Sequence, residues 1–118
     1  MQDLEKKLKN EMLQSIEIVK AKTKYNPTYC RNAINNNESI ISFLQNLLKP
    51  NKPTQDGFCR VVKESCFHKE NLMIYSIEYI ILKPDYKDLP LENERKEAKR
   101  RLETLKDKPL FKSLFLPA

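Results

Sequence analysis

The sequence is nearly devoid of glycine, since Gly57 is the only one among 118 residues, and it has no tryptophan. Tight hairpin turns and barrel corners draw heavily on glycine, so this scarcity argues against a β-sandwich or barrel and favours helices. It also excludes the glycine-rich loop with which many nucleotide-binding proteins hold phosphate.

Residue types that commonly carry chemistry are scarce as well. His68 is the only histidine, and the three cysteines are Cys30, Cys59 and Cys66. The C-x6-C-x-H spacing departs from the closely spaced ligand pairs of structural zinc sites. A Cys–His nucleophile pair would also need an orienting group and a pocket. We therefore expect no catalytic residue, no metal and no cofactor, and a protein that is not an enzyme.

Long apolar runs and targeting signals are missing too. The N-terminal residues, MQDLEKKLKN, are charged and contain no apolar stretch typical of a secretory signal. The longest uninterrupted apolar run is far shorter than the roughly 20 residues that span a bilayer. An odd number of cysteines without a signal peptide is typical of reduced thiols. The sequence thus predicts a cytoplasmic protein with no membrane contact.

What the chain does contain is charge and a moderate apolar content. Lys and Arg number 22 against 16 Asp and Glu, giving a net charge of +6, while 40% of residues are apolar. This apolar content is too high for a disordered chain, and 118 residues is the length of one domain. The excess positive charge indicates either attraction to nucleic acid or simply a well-solvated surface.

Hydrophobic periodicity predicts an all-α single domain of five or six helices. An amphipathic N-terminal helix is expected over residues 2–24, and it either packs on its own domain or serves as a partner or homo-oligomer helix. We divide the chain into this helix (1–24), a helical core (25–107) and an apolar C-terminal tail (108–118). The expected core residues are Phe43, Leu44, Leu47, Phe58, Val61, Ile77, Ile80, Ile81 and Leu102.

Turn and cap signals predict the bounds of the helices that follow. Asn26 and Pro27 would begin a second helix ending near residue 34. Asn35 or Asn37 would cap a third helix, which ends at Pro50. A fourth helix is expected over 55–63 after Thr54, followed by a polar loop over 65–71.

The most apolar run, residues 72–86, can be interpreted as a strand or as a helix. Its β-branched and aromatic residues favour a strand, whereas Ser76 is a suitable N-cap for a helix, which we prefer. Glu78 lies inside this run, so it needs solvent or a buried basic partner, for which Arg60 and Arg101 are the candidates.

The last predicted helix covers residues 91–106 and is rich in strong helix formers. Its basic residues are candidates for contact with nucleic-acid phosphates: Lys96, Lys99, Arg100 and Arg101. The tail beyond it is unusually apolar for a chain end. It either folds back onto the core or docks into a groove of a partner protein, through Leu110, Phe111, Leu114 and Phe115.

The order of several signals resembles a small helical module of unassigned function that recurs in bacteria. The carrying segments are Tyr25-Asn26, Asp56-Gly57-Phe58, SIEYIILKP at 76–84 and the helix with Glu94, Ala98, Arg101 and Leu102. The resemblance covers about residues 25–105, and the sequence departs from it at Asn36-Asn37 and over 66–70. Such modules stand alone or are appended to larger proteins, many of them linked to mobile elements or defence. The resemblance implies helices in the central run and supplies no catalytic residues.

Two functions remain open at this point. The first is a non-enzymatic module that engages a partner protein in a bacterial multi-component system, through the N-terminal helix and the tail. The alternative is a nucleic-acid-binding accessory protein that uses the basic residues of the last helix. An exposed apolar surface would favour the first function, and an exposed basic stripe would favour the second.

Overall fold

The computed structural model describes residues 2–25, 28–36, 39–49 and 56–115. These residues form an all-α domain without strands, as the sequence predicts. Short 3-10 turns occupy Met73–Tyr75, Pro84–Tyr86 and Pro109–Phe115. The six helices are α1 (Gln2–Thr23), α2 (Thr28–Asn36), α3 (Ile40–Leu47), α4 (Asp56–His68), α5 (Ile77–Ile81) and α6 (Glu92–Glu103).

Helix α1 packs on its own domain. Its stripe at spacings of three and four includes Leu8, Met12 and Ile16, which are buried in the main hydrophobic cluster. The other members of that cluster come from α2, α3, α5, α6 and the turn after α5, so α1 closes one side of the core. The apolar side chains of α1 that could have bound a partner helix are therefore buried inside the domain.

Two of the short helices, α3 and α5, begin at a serine that serves as the N-cap. The side chain of Ser39 accepts a hydrogen bond from the Ser42 amide at 3.2 Å and caps α3. The predicted cap at Asn35 or Asn37 is wrong: Asn35 lies within α2, and Asn37 lies outside the described residues. Ser76 caps α5 by accepting from the Tyr79 amide at 3.1 Å, which confirms the helical interpretation of the central run.

Helix α4 is longer than predicted, and the loop expected over 65–71 is largely helical. No glycine or proline interrupts residues 58–70. Ser65 points inward, donates to the Val61 carbonyl and accepts from the Leu72 amide at 3.0 Å. The helix ends at His68, and the next residue, Lys69, has a φ of 54°, the left-handed conformation that often follows a helix. The predicted start near Thr54 lies outside the described residues.

The core consists of two clusters. Of the predicted core residues, Phe43, Leu44, Ile80 and Ile81 are buried in the main cluster. The second, smaller cluster contains Met73, Leu102, Leu105 and Phe111, so the tail folds back against the end of α6. Leu47, Val61 and Ile77 are half-buried at the edges, and the side chain of Phe58 lies outside the described ones.

Candidate nucleic-acid interface

A cleft of about 1060 Å³ opens where the first half of α6 meets α3 and the segment that follows α5. We call it the basic cleft. It is lined by Gln45, Leu82, Lys87, Leu89, Pro90, Glu92, Asn93, Glu94, Arg95, Lys96 and Lys99.

Four of the lining residues are basic, and the fold brings them together from two elements. Lys96 and Lys99 are three residues apart on α6 and Arg95 is four residues before Lys99, so all three share one helix face. Lys87 comes from the turn after α5. Two carboxylates, Glu92 and Glu94, also line the cleft, which leaves an excess of positive charge there.

The lysines of the cleft are not neutralised within the described part of the chain. Lys87, Lys96 and Lys99 are exposed, and none forms an ion pair with a described carboxylate. This sets them apart from Lys7, Lys22 and Lys83, each of which pairs with a carboxylate. The cleft lysines are therefore available to an external anion.

Arg95 is held at the wall of the cleft and keeps a spare donor. Its Nη2 donates to the Leu82 carbonyl at 3.4 Å, just beyond the end of α5. Its Nη1 is buried and has no hydrogen-bond partner among the described residues. Leaving a buried donor unfilled costs about 1–3 kcal/mol. The Arg95 side chain as a whole is half-buried and lines the cleft, where its positive charge can attract an anion.

Arg101 was predicted to contact phosphate, but it does not belong to the exposed basic set. Its side chain is fully buried, with Nε donating to Glu97 at 2.8 Å and Nη1 donating to Glu78 at 3.1 Å. Its Nη2 reaches the carbonyl of Leu47 at 3.3 Å, at the end of α3. Arg101 thus joins three helices and cannot reach a ligand in this conformation.

Arg100 is exposed but already paired. Its guanidinium forms a two-pronged contact with Glu97, with nitrogen–oxygen distances of 2.8 and 2.6 Å. Of the four residues predicted to contact nucleic acid, only Lys96 and Lys99 are both exposed and unpaired with described carboxylates. The fold adds Lys87 and Arg95 to them, which sequence reasoning did not select.

The pKa values of the two buried carboxylates that contact Arg101 are shifted in opposite directions. Burial raises the pKa of Glu78, although Arg101 lies beside it. The hydrogen bonds from Arg100 lower the pKa of Glu97, aided by the single hydrogen bond from Arg101. The predicted ion pair of Glu78 is confirmed with Arg101, whereas the other candidate, Arg60, pairs with Glu64.

A second polar cluster ties the turn that carries Lys87 to α1. Tyr86 and Lys83 both donate to the carboxylate of Glu11 on α1. Burial alone would raise the pKa of Glu11, but the hydrogen bonds from Lys83 and Tyr86 lower it below its usual value. Burial raises the pKa of the Tyr86 hydroxyl. Lys7 and Asp85 form a further contact of 2.7 Å. These contacts fix the turn, and with it the position of one wall of the cleft.

An apolar pocket of about 410 Å³ adjoins the basic cleft on α6. Its lining residues are Tyr79, Leu82, Lys83, Pro84, Lys99, Leu102 and Glu103. Leu82 and Lys99 line both cavities, so together they form the ridge between them. The two cavities are consequently parts of one surface.

The tail residues predicted to bind a partner protein lie against the core where they are described. Phe111 is fully buried and Leu110 packs against the same cluster. The structure therefore favours the alternative in which the tail folds back. The side chains of Leu114 and Phe115 lie outside the described ones.

Cys59 and Cys66 are exposed free thiols, and the side chain of Cys30 lies outside the described ones. Within the described residues, no cluster of three or more His, Cys, Asp or Glu could hold a metal ion. No described helix is long and apolar enough to cross a membrane.

No family model matches the chain, and neither a curated protein nor a solved structure was found to be similar to it. The interpretation of the basic cleft therefore depends on its own geometry and charge.

Proposed function

We propose that this protein is a small, non-enzymatic binding module for nucleic acid, which it holds by the sugar–phosphate backbone at the basic cleft. One observation carries the proposal: Lys87, Lys96 and Lys99 converge with Arg95 on a single cleft, and the three lysines form no ion pair with a described carboxylate. Proteins neutralise phosphate with Lys and Arg and gain affinity from the counterions that are released.

The number of basic residues sets the expected strength of binding. With three or four phosphates neutralised, the logarithm of the binding constant should fall with the logarithm of salt with a slope of roughly −3 on duplex DNA. Backbone contacts of this kind, without base contacts, give dissociation constants of about 10⁻⁴ to 10⁻⁶ M at physiological salt. We therefore expect weak, salt-sensitive binding from the cleft alone.

The partner-protein function predicted from the sequence has less support. In the described part of the chain, the apolar stripe of α1 and the ring of Phe111 are buried inside the domain. The large apolar side chains exposed among the described residues are Phe67 and Ile74, which are too few to make a docking patch. The bacterial setting and the link to mobile elements or defence remain predictions from the resemblance.

The test is fluorescence anisotropy with a labelled oligonucleotide across a salt series. Replacing Lys96 and Lys99 together by Gln should weaken binding at low salt and make the salt slope shallower by about two, because each lost phosphate contact removes about one unit. A matched control replaces Lys6 and Lys20, exposed lysines of α1 that do not line the cleft.

The control variant carries the same net charge as the cleft variant, so it separates local contact from overall attraction. Binding that falls equally in both variants would contradict the cleft as the site. Absence of binding by the unaltered protein at low salt would contradict the function itself.

A further inference from the structure

We infer that the nucleic acid is single-stranded and that one of its bases enters the apolar pocket beside the basic cleft. This inference rests on the proposed function and specifies its ligand. The apolar pocket, of about 410 Å³, shares Leu82 and Lys99 with the cleft, so a phosphate held by Lys99 leaves the neighbouring nucleotide next to the pocket.

The walls of the apolar pocket suit the faces of a base. Tyr79 offers an aromatic ring that is half-buried, and Leu102 and Leu82 supply aliphatic surface. Pro84, at the first position of a 3-10 turn, adds a rigid apolar ring. Proteins that bind single strands combine such surfaces with a positively charged groove, because every base has a face that can stack on an aromatic ring.

The charges at the rim separate the roles of the two cavities. Glu103 is exposed at the apolar pocket, and its carboxylate repels a phosphate there. The same carboxylate can accept a hydrogen bond from the exocyclic amino group of a base, as Glu does with cytosine. Lys83 also lines this pocket, but it is engaged with Glu11. The arrangement therefore places the phosphate at Lys99 and the base beyond it.

A duplex cannot use the apolar pocket, because its bases are stacked and paired. A single strand can present a base without breaking a base pair, so the pocket discriminates between single-stranded and duplex nucleic acid. If the pocket instead receives a side chain of a partner protein, single-stranded and duplex probes will bind with equal affinity.

The experiment compares three labelled probes of roughly 12 nucleotides, a length within the site sizes of single-strand-binding domains. They are a cytosine-rich single strand, the same strand paired with its complement, and an abasic single strand that keeps the phosphates. We expect the single strand with bases to bind the full chain about tenfold more tightly than either of the others.

Two variants test the pocket itself. Replacing Tyr79 by Leu keeps an apolar side chain against the second cluster but removes the aromatic face, and it should abolish the tenfold preference while leaving abasic binding unchanged. Replacing Glu103 by Ala alters an exposed residue and should weaken binding to the cytosine-rich strand more than to an all-thymine strand, which lacks exocyclic amino groups.

The outcomes distinguish the two proposals. If all three probes bind equally and with steep salt dependence, the base pocket is refuted and the basic cleft stands. If Tyr79→Leu leaves the preference for the single strand intact, the pocket is likewise refuted. If no probe binds at low salt, both the function and the pocket are refuted.

Discussion

Replacing Arg101 by Met should destabilise the protein more than any other single loss of charge. The substitution keeps a long side chain but removes the guanidinium that bonds Glu78, Glu97 and the carbonyl of Leu47. Glu78 and Glu97 would remain as buried carboxylates, with side chains 4% and 2% exposed. Removing one partner of a buried ion pair costs about 3–5 kcal/mol, because the other charge is left unpaired.

That loss is a large share of the total stability. For 118 residues, a free energy of unfolding of about 6–18 kcal/mol is expected. Urea denaturation followed by circular dichroism should therefore show a large shift of the midpoint at pH 7. A charge-matched control, Arg100→Met, removes a guanidinium whose side chain is 52% exposed, and it should shift the midpoint far less than Arg101→Met does.

Equal midpoints for Arg101→Met and Arg100→Met would contradict this prediction, since only the Arg101 guanidinium is buried and bonded to Glu78 and the Leu47 carbonyl. A double variant that also carries Glu78→Gln gives a second check. If the pair is coupled as the structure shows, the two substitutions together should cost less than the sum of their separate effects.

Two further predictions concern the buried carboxyl of Glu78 and the buried ring of Phe111. Because burial raises the pKa of Glu78, the folded state holds the carboxyl proton more tightly than the unfolded state does. The contribution of this carboxyl to stability is therefore present below its usual pKa of 4.5, and it is lost as the pH rises through the folded-state pKa. The stability of Glu78→Gln, taken relative to that of the unaltered protein, should therefore rise as the pH increases from 4.5 to 7 in urea titrations, and a fall over that range would contradict the pKa shift. Phe111→Ala should cost about 3–5 kcal/mol by removing a fully buried ring, measured against the exposed neighbour Lys112→Ala, and a cost below about 1 kcal/mol would show that the tail is not part of the core.

Local signals predicted much of the fold. The stripe of α1 and the serine at position 76 depend on spacing and capping within a few residues, and both predictions agree with the structure. The end of α4 was missed because the polar stretch over 65–71 predicts a loop, although it contains neither glycine nor proline and the helix continues to His68. Only the inward bonding of Ser65 to Leu72 shows why the helix continues.

The candidate site was only half accessible to sequence reasoning. Lys96 and Lys99 were found because they lie on the polar face of one helix. Arg101 was predicted to contact phosphate because it is charged, although its spacing of three residues from Ala98 places it on the buried face of the helix. Lys87 joins the site only through the turn after α5, and such a long-range arrangement has no local signal in the chain.

Binding at the basic cleft can be located residue by residue by titrating isotopically labelled protein with a short single-stranded oligonucleotide and following the amide NMR shifts. We predict that the largest shifts fall on Lys87, Arg95, Lys96 and Lys99, with Tyr79 and Glu103 following if a base enters the apolar pocket. Shifts centred on the exposed Phe67 at the end of α4, or no shifts at low salt, would contradict it.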